Sequence, residues 1–316
     1  MITQSKIAKL AHVSVSTVSK AFDMSQEISE ETRERIFQIA KELGCFKKYY
    51  NKPYSRWMIA ILCPELNSQF YTRLLSILEG LLAERNCEIC VVPTNFSDEK
   101  EQELLQYYDT YSTVDGILRI SSADVTLATE TPIVQLLTEN RQGIEDAITY
   151  FAAHGVKRIA FLGEPLTRKR LEIYCDAMKK NGLPIDDRLI VVSDDRFEKA
   201  GYLGMKKLLS QATPRAVFCA YDYIAIGAMR AIREAGLSIP RDVAVVGVDN
   251  LSCDEYLSPA LASVDVNTEA SCREAVEALL DRLRDRPHRS EPTPLSRFCL
   301  RESAILNEAV QSCKLV

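Results

Sequence analysis

Apolar residues in the first 45 positions recur at the spacing of three short α-helices. Two serines, Ser14 and Ser29, stand just before the second and third helices, where a serine oxygen can cap the free backbone N–H groups. Gly44 then ends the third helix. The apolar positions are Ile7, Leu10 and Ala11, then Val18, Ala21 and Phe22, and finally Ile36, Ile39, Ala40 and Leu43. Three short helices with a tight turn between the first two predict an all-α helix-turn-helix domain over residues 1–45.

From residue 58 onward, apolar strand-like runs alternate with amphipathic helical runs. We predict strands over 58–63, 89–92, 116–120, 158–162, 189–192, 216–219 and 243–248, and helices over 70–85, 98–111, 171–180 and 224–234. This alternation is typical of parallel sheets that helices cover on both faces. Residues 58–305 are therefore predicted to form an α/β domain of two similar lobes with doubly wound parallel sheets.

Composition narrows the class of protein. With 47% hydrophobic residues over 316 positions, the chain can bury a large core, which excludes an intrinsically disordered protein. The chain has no apolar run of about 18 residues. Its polar N-terminus is unlike a signal peptide, so we expect a cytoplasmic protein that does not enter the membrane. Cys87 and Cys90 should point to opposite faces of a strand, so we expect neither a metal site nor any other cofactor.

Charge is unevenly distributed along the chain. Residues 1–57 contain ten Lys and Arg against six Asp and Glu, whereas the remainder carries an excess of nine acidic residues. A small basic domain on an acidic body indicates a module that binds a polyanion. On charge alone, a basic pair of helices that simply faces solvent is the alternative.

The predicted second helix carries groups that suit a nucleic acid. Its hydroxyl residues are poor core residues, but hydroxyl groups can donate to phosphates and base edges. They are Ser14, Ser16, Thr17 and Ser19. Lys20 follows on the same helix and has the length to reach a phosphate or a guanine edge. The alternative role of the hydroxyl groups is simple capping of helices.

A linker over 46–57 joins the two predicted domains and is rich in tyrosine and basic residues. Pro53 opposes a continuous helix through it. Two interpretations stay open. In the first, a tyrosine wedges into DNA while basic side chains such as Lys47 and Lys48 contact phosphates; in the second, the segment is a plain tether. The candidate wedges are Tyr49, Tyr50 and Tyr54. The C-terminal tail over 306–316 has too few heptads for a coiled coil.

Ligands of parallel sheets bind beyond the carboxyl ends of the strands. At the predicted strand ends the sequence places polar and aromatic residues, namely Asn67, Phe70, Tyr71, Tyr221, Asp222 and Asp249, with Arg170 at the start of a helix. Aromatic faces beside polar groups suit a small polar ligand such as a sugar. The alternative for Asp222 and Asp249 is a structural role in capping loops and helices.

Four stretches of the chain carry a family resemblance. Residues 7–20 read IAKLAHVSVSTVSK and residues 28–36 read ISEETRERI. Both resemble the N-terminal signature of the LacI/GalR family of bacterial transcription regulators. Residues 220–231 read AYDYIAIGAMRA and residues 239–249 read IPRDVAVVGVD. These are similar to the effector domain of the same family, which resembles periplasmic binding proteins (type I) and has a ligand cleft between two lobes.

The resemblance implies roles for individual residues. It implies that Val15 and Ser16 read bases in the major groove, with Lys20 one turn further on. It implies phosphate contacts for Thr3, Ser14, Thr17, Ser19 and Thr32. It implies effector contacts for Arg170, Asp222 and Asp249, with Phe70 and Tyr71 as stacking partners. The implied partners are a pseudopalindromic DNA operator, a small-molecule effector and a second copy of the chain in a homodimer.

The chain departs from the family pattern at four places. The hinge helix expected after the third helix is shortened and lacks its leucine. Tyr221 and Ile173 stand where the family usually has Asn and Gly. Residues are missing between Pro132 and Gly143, where the chain first crosses between the lobes. The last departure predicts an altered or absent response to an effector.

The sequence therefore predicts a sequence-specific transcriptional repressor whose operator affinity depends on a small polar effector, a sugar or a related metabolite. One alternative is a DNA-binding protein of the same fold that has lost its effector response. A Rossmann-like enzyme with an added DNA-binding head is the other alternative. We expect no enzyme, because the chain lacks dinucleotide, P-loop and Gly-x-Ser-x-Gly motifs and has only three histidines.

Overall fold

The structure is a computed structural model that describes residues 3–49, 56–120, 129–289 and 295–306. The chain forms two compact units. The first unit consists of residues 1–137 and 272–291, and the second of residues 138–271 and 292–316. The chain therefore passes from one unit to the other three times. Within the described ranges, no helix is both long enough and apolar enough to cross a membrane.

The first unit begins with three helices, α1 (Gln4–Leu10), α2 (Val15–Phe22) and α3 (Glu30–Glu42). The Ser14 oxygen accepts a hydrogen bond from the backbone N–H of Thr17, and the Ser29 oxygen accepts one from that of Thr32. Both predicted caps are therefore confirmed. Gly44 takes a left-handed backbone conformation just after α3, with a φ of +64°, which favours glycine at this position.

The predicted apolar positions of the three helices pack into one core, with the exception of Leu10. Ile7, Ala8 and Ala11 form the buried face of α1, and Leu10 is exposed because it lies about 100° around the helix from the centre of that face. The prediction for Leu10 was therefore wrong. The other positions follow the 3.6-residue period of the helix closely, so they meet on one face.

Residues 46–49 of the predicted linker form a short helix, α4 (Phe46–Tyr49), that packs against the same core. The Tyr49 ring lies 5.7 Å from the Phe22 ring, and the Phe46 ring lies 4.9 Å from the Phe37 ring. These contacts do not favour Tyr49 as a wedge for DNA, because its ring already packs on the helical core. The other candidates, Tyr50 and Tyr54, lie outside the described residues, as do Pro53 and positions 307–316 of the tail.

A four-stranded parallel sheet makes up the rest of the first unit. Its strands are β1 (Trp57–Cys63), β2 (Cys87–Pro93), β3 (Gly116–Arg119) and β4 (Ile133–Gln135), in the order β2-β1-β3-β4. Its helices are α5 (Gln69–Ala83), α6 (Asp98–Tyr111) and the part of α11 (Thr268–Leu283) that belongs to this unit.

Alternate residues of β1 enter two separate cores. Ile59 and Ile61 pack in a cluster with residues of α5 and α11, whereas Ala60 and Leu62 pack in a cluster with residues of α6. The sheet is therefore covered on both faces, as predicted. Cys87 is buried and Cys90 on the same strand is exposed, so the two thiols lie on opposite faces.

The second unit contains a six-stranded sheet. Its strands are β5 (Ile159–Gly163), β6 (Ile190–Val192), β7 (Ala216–Cys219), β8 (Ala244–Val248), β9 (Ala262–Asp265) and β10 (Arg297–Cys299), in the order β10-β9-β8-β7-β5-β6. Its helices are α7 (Arg141–Ala153), α8 (Arg168–Lys180), α9 (Phe197–Gln211) and α10 (Asp222–Glu234). All strand pairs are parallel except β10 with β9, which is antiparallel.

The first passage between the units is short, as the sequence indicates. β4 ends at Gln135, α7 begins at Arg141, and the boundary between the units lies between Leu137 and Thr138. Glu139 anchors the passage within the second unit. Its carboxylate accepts hydrogen bonds from the backbone N–H and the hydroxyl group of Ser296, at 2.9 and 2.8 Å.

Two glycines allow α9 and α10 to pack at very short distance. A Cβ atom at Gly227 would lie 1.9 Å from the carbonyl oxygen of Glu198, and one at Gly201 would lie 1.9 Å from that of Ile224. These obstacles are backbone atoms, which cannot rotate away as a side chain can. The contact between the two helices therefore depends on glycine at both positions.

We expect Gly227→Ala to destabilise the second unit by about 1–3 kcal/mol or more, because the added methyl group forces the helices apart. Gly204→Ala on α9 is the matched control, since its Cβ would meet only the Leu162 and Val191 methyl groups at 3.5 Å. Thermal unfolding followed by circular dichroism measures both variants. Equal unfolding midpoints for the two variants would contradict this interpretation of the packing.

Candidate DNA-binding and effector-binding sites

The N-terminal end of α2 presents an exposed face with one apolar residue among hydroxyl groups. The Ser14 oxygen lies 2.8 Å from the Ser16 oxygen and 2.8 Å from the Thr17 hydroxyl oxygen. Val15 is 45% exposed although it is apolar. A valine without a place in the core can contact a thymine methyl group, and the hydroxyl groups can donate to bases or phosphates.

The other residues predicted to contact DNA have different surroundings. Thr3 is exposed at the start of α1, and its side chain makes no capping hydrogen bond. The Thr32 hydroxyl accepts a hydrogen bond from the Ser29 hydroxyl at 2.9 Å, and Ser19 donates to Asp23 at 3.4 Å. Lys48 is exposed, with its Nζ 5.6 Å from the centre of the Tyr49 ring. The Lys47 side chain lies outside the described part of the chain.

Lys20 forms an ion pair with Glu27, which belongs to the turn between α2 and α3. This pair could not be predicted from the sequence, because the two residues are seven positions apart and the turn between them follows no simple period. Lys20 lies on α2, as predicted, together with the hydroxyl residues Ser16, Thr17 and Ser19.

In the second unit, Arg170 and Asp249 meet at the carboxyl ends of the strands. Arg170 lies in the first turn of α8, and its Nη1 donates to the carbonyl oxygen of Ala220 at 2.6 Å. Its Nη2 donates to Asp249 Oδ1 at 2.7 Å. Burial raises the pKa of Asp249, and the Arg170 charge opposes that rise. Two of the predicted effector residues are therefore brought into direct contact.

Asp222 is fully buried, and other protein groups use both of its carboxylate oxygens. Its Oδ1 accepts a hydrogen bond from the Ser263 hydroxyl at 2.7 Å, and its Oδ2 accepts one from the Leu251 backbone N–H at 3.0 Å. A Cβ atom at Gly247 would lie 2.0 Å from Oδ1. These surroundings favour the structural alternative for Asp222 and do not support a direct contact with an effector.

A second buried acid, Asp254, lies beside Asp222. Burial raises the pKa of Asp222 well above its ordinary value, and the negative charges of Asp254 and Asp249 raise it further. Burial also raises the pKa of Asp254, to about 6. Two neighbouring buried carboxyl groups resist carrying two negative charges at once, which favours a bound proton on one of them. The pair is therefore sensitive to pH near neutrality.

Sequence reasoning missed a second ion pair at this edge of the sheet. Glu164 directly follows β5, is buried, and accepts hydrogen bonds from Arg196 Nε at 3.0 Å and from the Tyr221 hydroxyl at 2.9 Å. The Tyr221 oxygen also accepts from the backbone N–H of Phe197 at 3.0 Å. The available signal was a glutamate placed directly after an apolar strand. The substitution of Tyr221 for the usual asparagine thus places an aromatic ring and a buried hydroxyl group here.

The predicted residues of the first unit lie after β1. Asn67 is exposed, and the rings of Phe70 and Tyr71 are partly buried at the start of α5, 5.1 Å apart and edge to face. Phe96, after β2, extends this aromatic group, with its ring 6.2 Å from that of Tyr71. The first unit thus offers aromatic faces at its strand ends, which suit a ring with apolar and polar sides.

We expect Asp254→Asn to stabilise the protein at pH 7 by about 1–3 kcal/mol. Its folded-state pKa lies above the ordinary value of 3.8, so ionisation of Asp254 lowers stability as the pH rises from about 4 to about 6. The advantage of the variant should therefore vanish near pH 4. Thermal midpoints across this range measure the effect.

Asp242→Asn is the control for this experiment, with the opposite sign. Hydrogen bonds from Arg241 and Ser238 lower the pKa of Asp242, so its charge stabilises the folded state above the ordinary pKa. This variant should lose stability at pH 7. Parallel pH curves for Asp254→Asn and the unmodified protein would contradict the raised pKa of Asp254.

Two known protein families match the chain. Residues 5–46 match the family described as bacterial regulatory proteins, lacI family. Residues 148–304 match the periplasmic binding protein-like domain. The first match covers the helix-turn-helix region, and the second covers most of the second unit.

Relatives with known names match nearly the whole chain. The ribose operon repressor of Haemophilus influenzae is 29% identical, over 99% of this chain and 100% of that protein. The transcriptional repressor CytR of Escherichia coli strain K12 is 27% identical, over 89% of each. The solved complex of the transcriptional regulator CelR with cellobiose is 26% identical, with a TM-score of 0.65 over 96% of this chain and 100% of that one. The chain therefore carries a LacI-family helix-turn-helix region and a periplasmic binding protein-like domain, and its named relatives are transcriptional repressors of the LacI family.

Proposed function

We propose that the chain represses transcription as a homodimer on a pseudopalindromic operator, and that a small polar effector, a sugar or a related metabolite, changes its operator affinity. The exposed Val15 beside the hydroxyl groups of Ser14, Ser16 and Thr17 is the observation that carries the DNA-binding part. A surface of this kind can read the floor of a major groove, where methyl groups alternate with hydrogen-bonding atoms.

The residues of the N-terminal helical region (residues 3–49, called the head below) are proposed to make two kinds of contact with DNA. Val15 and Ser16 lie on the exposed face at the start of α2 and are proposed to contact base edges. The proposed phosphate contacts are Thr3, Ser14, Thr17, Ser19, Thr32, Lys47 and Lys48. Such contacts set affinity and register, whereas base contacts set specificity. A dimer would place two α2 helices about one helical turn of DNA apart.

The effector part of the proposal relies on pre-arranged side chains at the strand ends of each unit. Asp249 fixes the Arg170 guanidinium in the second unit, and the first unit offers Asn67 with the rings of Phe70 and Tyr71. A guanidinium held by a carboxylate presents donors beside acceptors, which suits the hydroxyl groups of a sugar. The CelR structure contains cellobiose, which supports a saccharide as the class of effector for this chain.

Regulation then requires that binding of the effector changes the free energy of operator binding, and the reverse. An effector that binds one arrangement of the two units more tightly shifts the population toward that arrangement. This shift would change the positions of the two DNA-binding heads of the dimer, and so raise or lower its affinity for the two half-sites of the operator. The short first passage at Thr138 and Glu139 is one of three connections through which this coupling could act.

Selection of binding sites from random duplex DNA tests the proposal. The intact protein at near-physiological salt should enrich a two-fold symmetric site. The enriched duplex then becomes the probe for a panel of sugars and related metabolites, with thermal stabilisation as the second readout. A folded protein that enriches no motif would overturn the proposal of a sequence-specific repressor.

Changes at Val15 should alter base preference without changing the salt dependence of binding, because Val15 carries no charge. We expect Val15→Thr to change the preferred base pair in each half-site and to cost about 1–3 kcal/mol at the original site. Lys48→Ala is the control, and it should weaken binding to all sequences alike. A uniform loss of affinity in Val15→Thr would contradict the assignment of Val15 as a base contact.

Replacement of Arg170 should weaken the effector response and leave operator binding intact. Arg170→Lys keeps the positive charge beside Asp249 but loses the two-donor geometry, so effector affinity should fall about tenfold or more. Arg168→Lys, on an exposed side chain of the same turn that pairs with Glu172, is the matched control. Titration of the effector into the protein–operator complex measures both. A normal effector response in Arg170→Lys would remove Arg170 from the effector site.

A further inference from the structure

The ion pair of Lys20 and Glu27 lies on exposed surface of the head. The Lys20 side chain is 49% exposed and the Glu27 side chain is 69% exposed. An exposed ion pair contributes about 0–1 kcal/mol to stability. The fold therefore does not depend on this contact, and its consequence must be sought in what the head binds.

Other hydrogen bonds hold the turn that carries Glu27 in place. The buried guanidinium of Arg33 donates through Nη2 to the carbonyl oxygens of Ser25 and Ile28, at 2.8 and 3.1 Å. The backbone N–H of Ser25 donates to the carbonyl oxygen of Lys20 at 3.0 Å. The backbone of Glu27 is thus fixed on both sides. The pair joins two ordered segments, and its partners are held near one another before DNA arrives.

Lys20 is the only basic residue in the sequence of α2. The hydrogen bond from Lys20 and its positive charge lower the pKa of Glu27, so Glu27 is ionised at neutral pH. A lysine on a recognition helix attracts the phosphates of any DNA, because this attraction does not depend on sequence. A lysine that is already paired with a carboxylate attracts phosphates much less strongly, and the carboxylate itself repels them.

We propose that Glu27 is a specificity-determining residue, which engages Lys20 so that the recognition helix gains little from the phosphates of non-operator DNA. Lys20 leaves Glu27 only for a better acceptor, such as the O6 and N7 atoms of a guanine in the operator. The pair thereby gives up affinity for all sequences and raises discrimination between them. This inference rests on the proposed function, because it requires that α2 reads an operator.

The test compares Glu27→Gln with the unmodified full-length protein. Affinities are measured for the selected operator duplex and for a scrambled duplex of the same length, over a series of salt concentrations. We expect Glu27→Gln to bind the scrambled duplex about five- to tenfold more tightly and the operator only slightly more tightly. The slope of log affinity against log salt should steepen by about 0.9 for each head bound, since each freed lysine neutralises one phosphate.

Two controls separate the pair from a general effect of charge. Glu42→Gln removes the same charge from the far end of α3, where Glu42 accepts a hydrogen bond from Gln38, and it should leave the ratio of affinities unchanged. In a Lys20→Ala background, Glu27→Gln should lose most of its effect, as a double-mutant cycle requires for coupled residues. Glu27 is exposed, so its substitution should leave the thermal midpoint unchanged.

The outcomes distinguish this inference from the proposed function. If the unmodified protein enriches an operator but Glu27→Gln shows the same salt slope and the same ratio of affinities, the inference is overturned and the proposed function stands. An equal effect of Glu42→Gln, or a full effect in the Lys20→Ala background, would also overturn it. If the folded, unmodified protein selects no DNA sequence, both proposals fail.

Discussion

The buried carboxyl group of Asp222 organises the edge of the second unit where the parallel strands end. A carboxyl group away from water must be hydrogen-bonded or neutralised, and Asp222 accepts hydrogen bonds from Ser263 and Leu251 while burial raises its pKa. Its position requires glycine at 247, because a Cβ atom there would overlap the carboxylate. Asp249, two residues further on, takes a φ of 103° and reaches Arg170. Asp222, which the sequence analysis assigned to the effector site, therefore has a structural role beside Asp249 and Arg170.

A buried ionisable side chain plays a comparable part among the N-terminal helices. The guanidinium of Arg33 lies beneath the turn between α2 and α3 and donates to two carbonyl oxygens of that turn. Backbone carbonyl groups without partners are costly when buried, so this single side chain stabilises a turn that has no regular structure. In the second unit the acid Asp222 joins the loop after β8 to strand β9, whereas a base holds the loop before α3. In both cases a buried ionisable side chain fixes the backbone beside a candidate binding residue.

Much of the fold could be predicted because its helices and strands follow simple periods. α2 begins directly after its predicted capping residue Ser14, α6 has the predicted bounds 98–111, and β7 agrees residue by residue. β10 was missed because three residues on an edge strand are too few to show a period. α9 was missed because Phe197 takes a left-handed conformation at its start and two glycines interrupt its pattern. The partners of Lys20 and Arg196 could not be predicted, since tertiary contacts of turns and loops alone bring Glu27 and Glu164 to them.

Three cations discussed above are each paired with a carboxylate. Lys20 pairs with Glu27, Arg170 with Asp249 and Arg196 with Glu164. For Lys20, the proposed binding to DNA is then an exchange of the Glu27 carboxylate for another acceptor rather than the gain of a new contact. Exchange lowers affinity for every ligand, but it lowers affinity most for ligands whose acceptors are poorly placed. A regulator must distinguish one operator and one effector among many similar molecules, so such an arrangement favours discrimination over strength of binding.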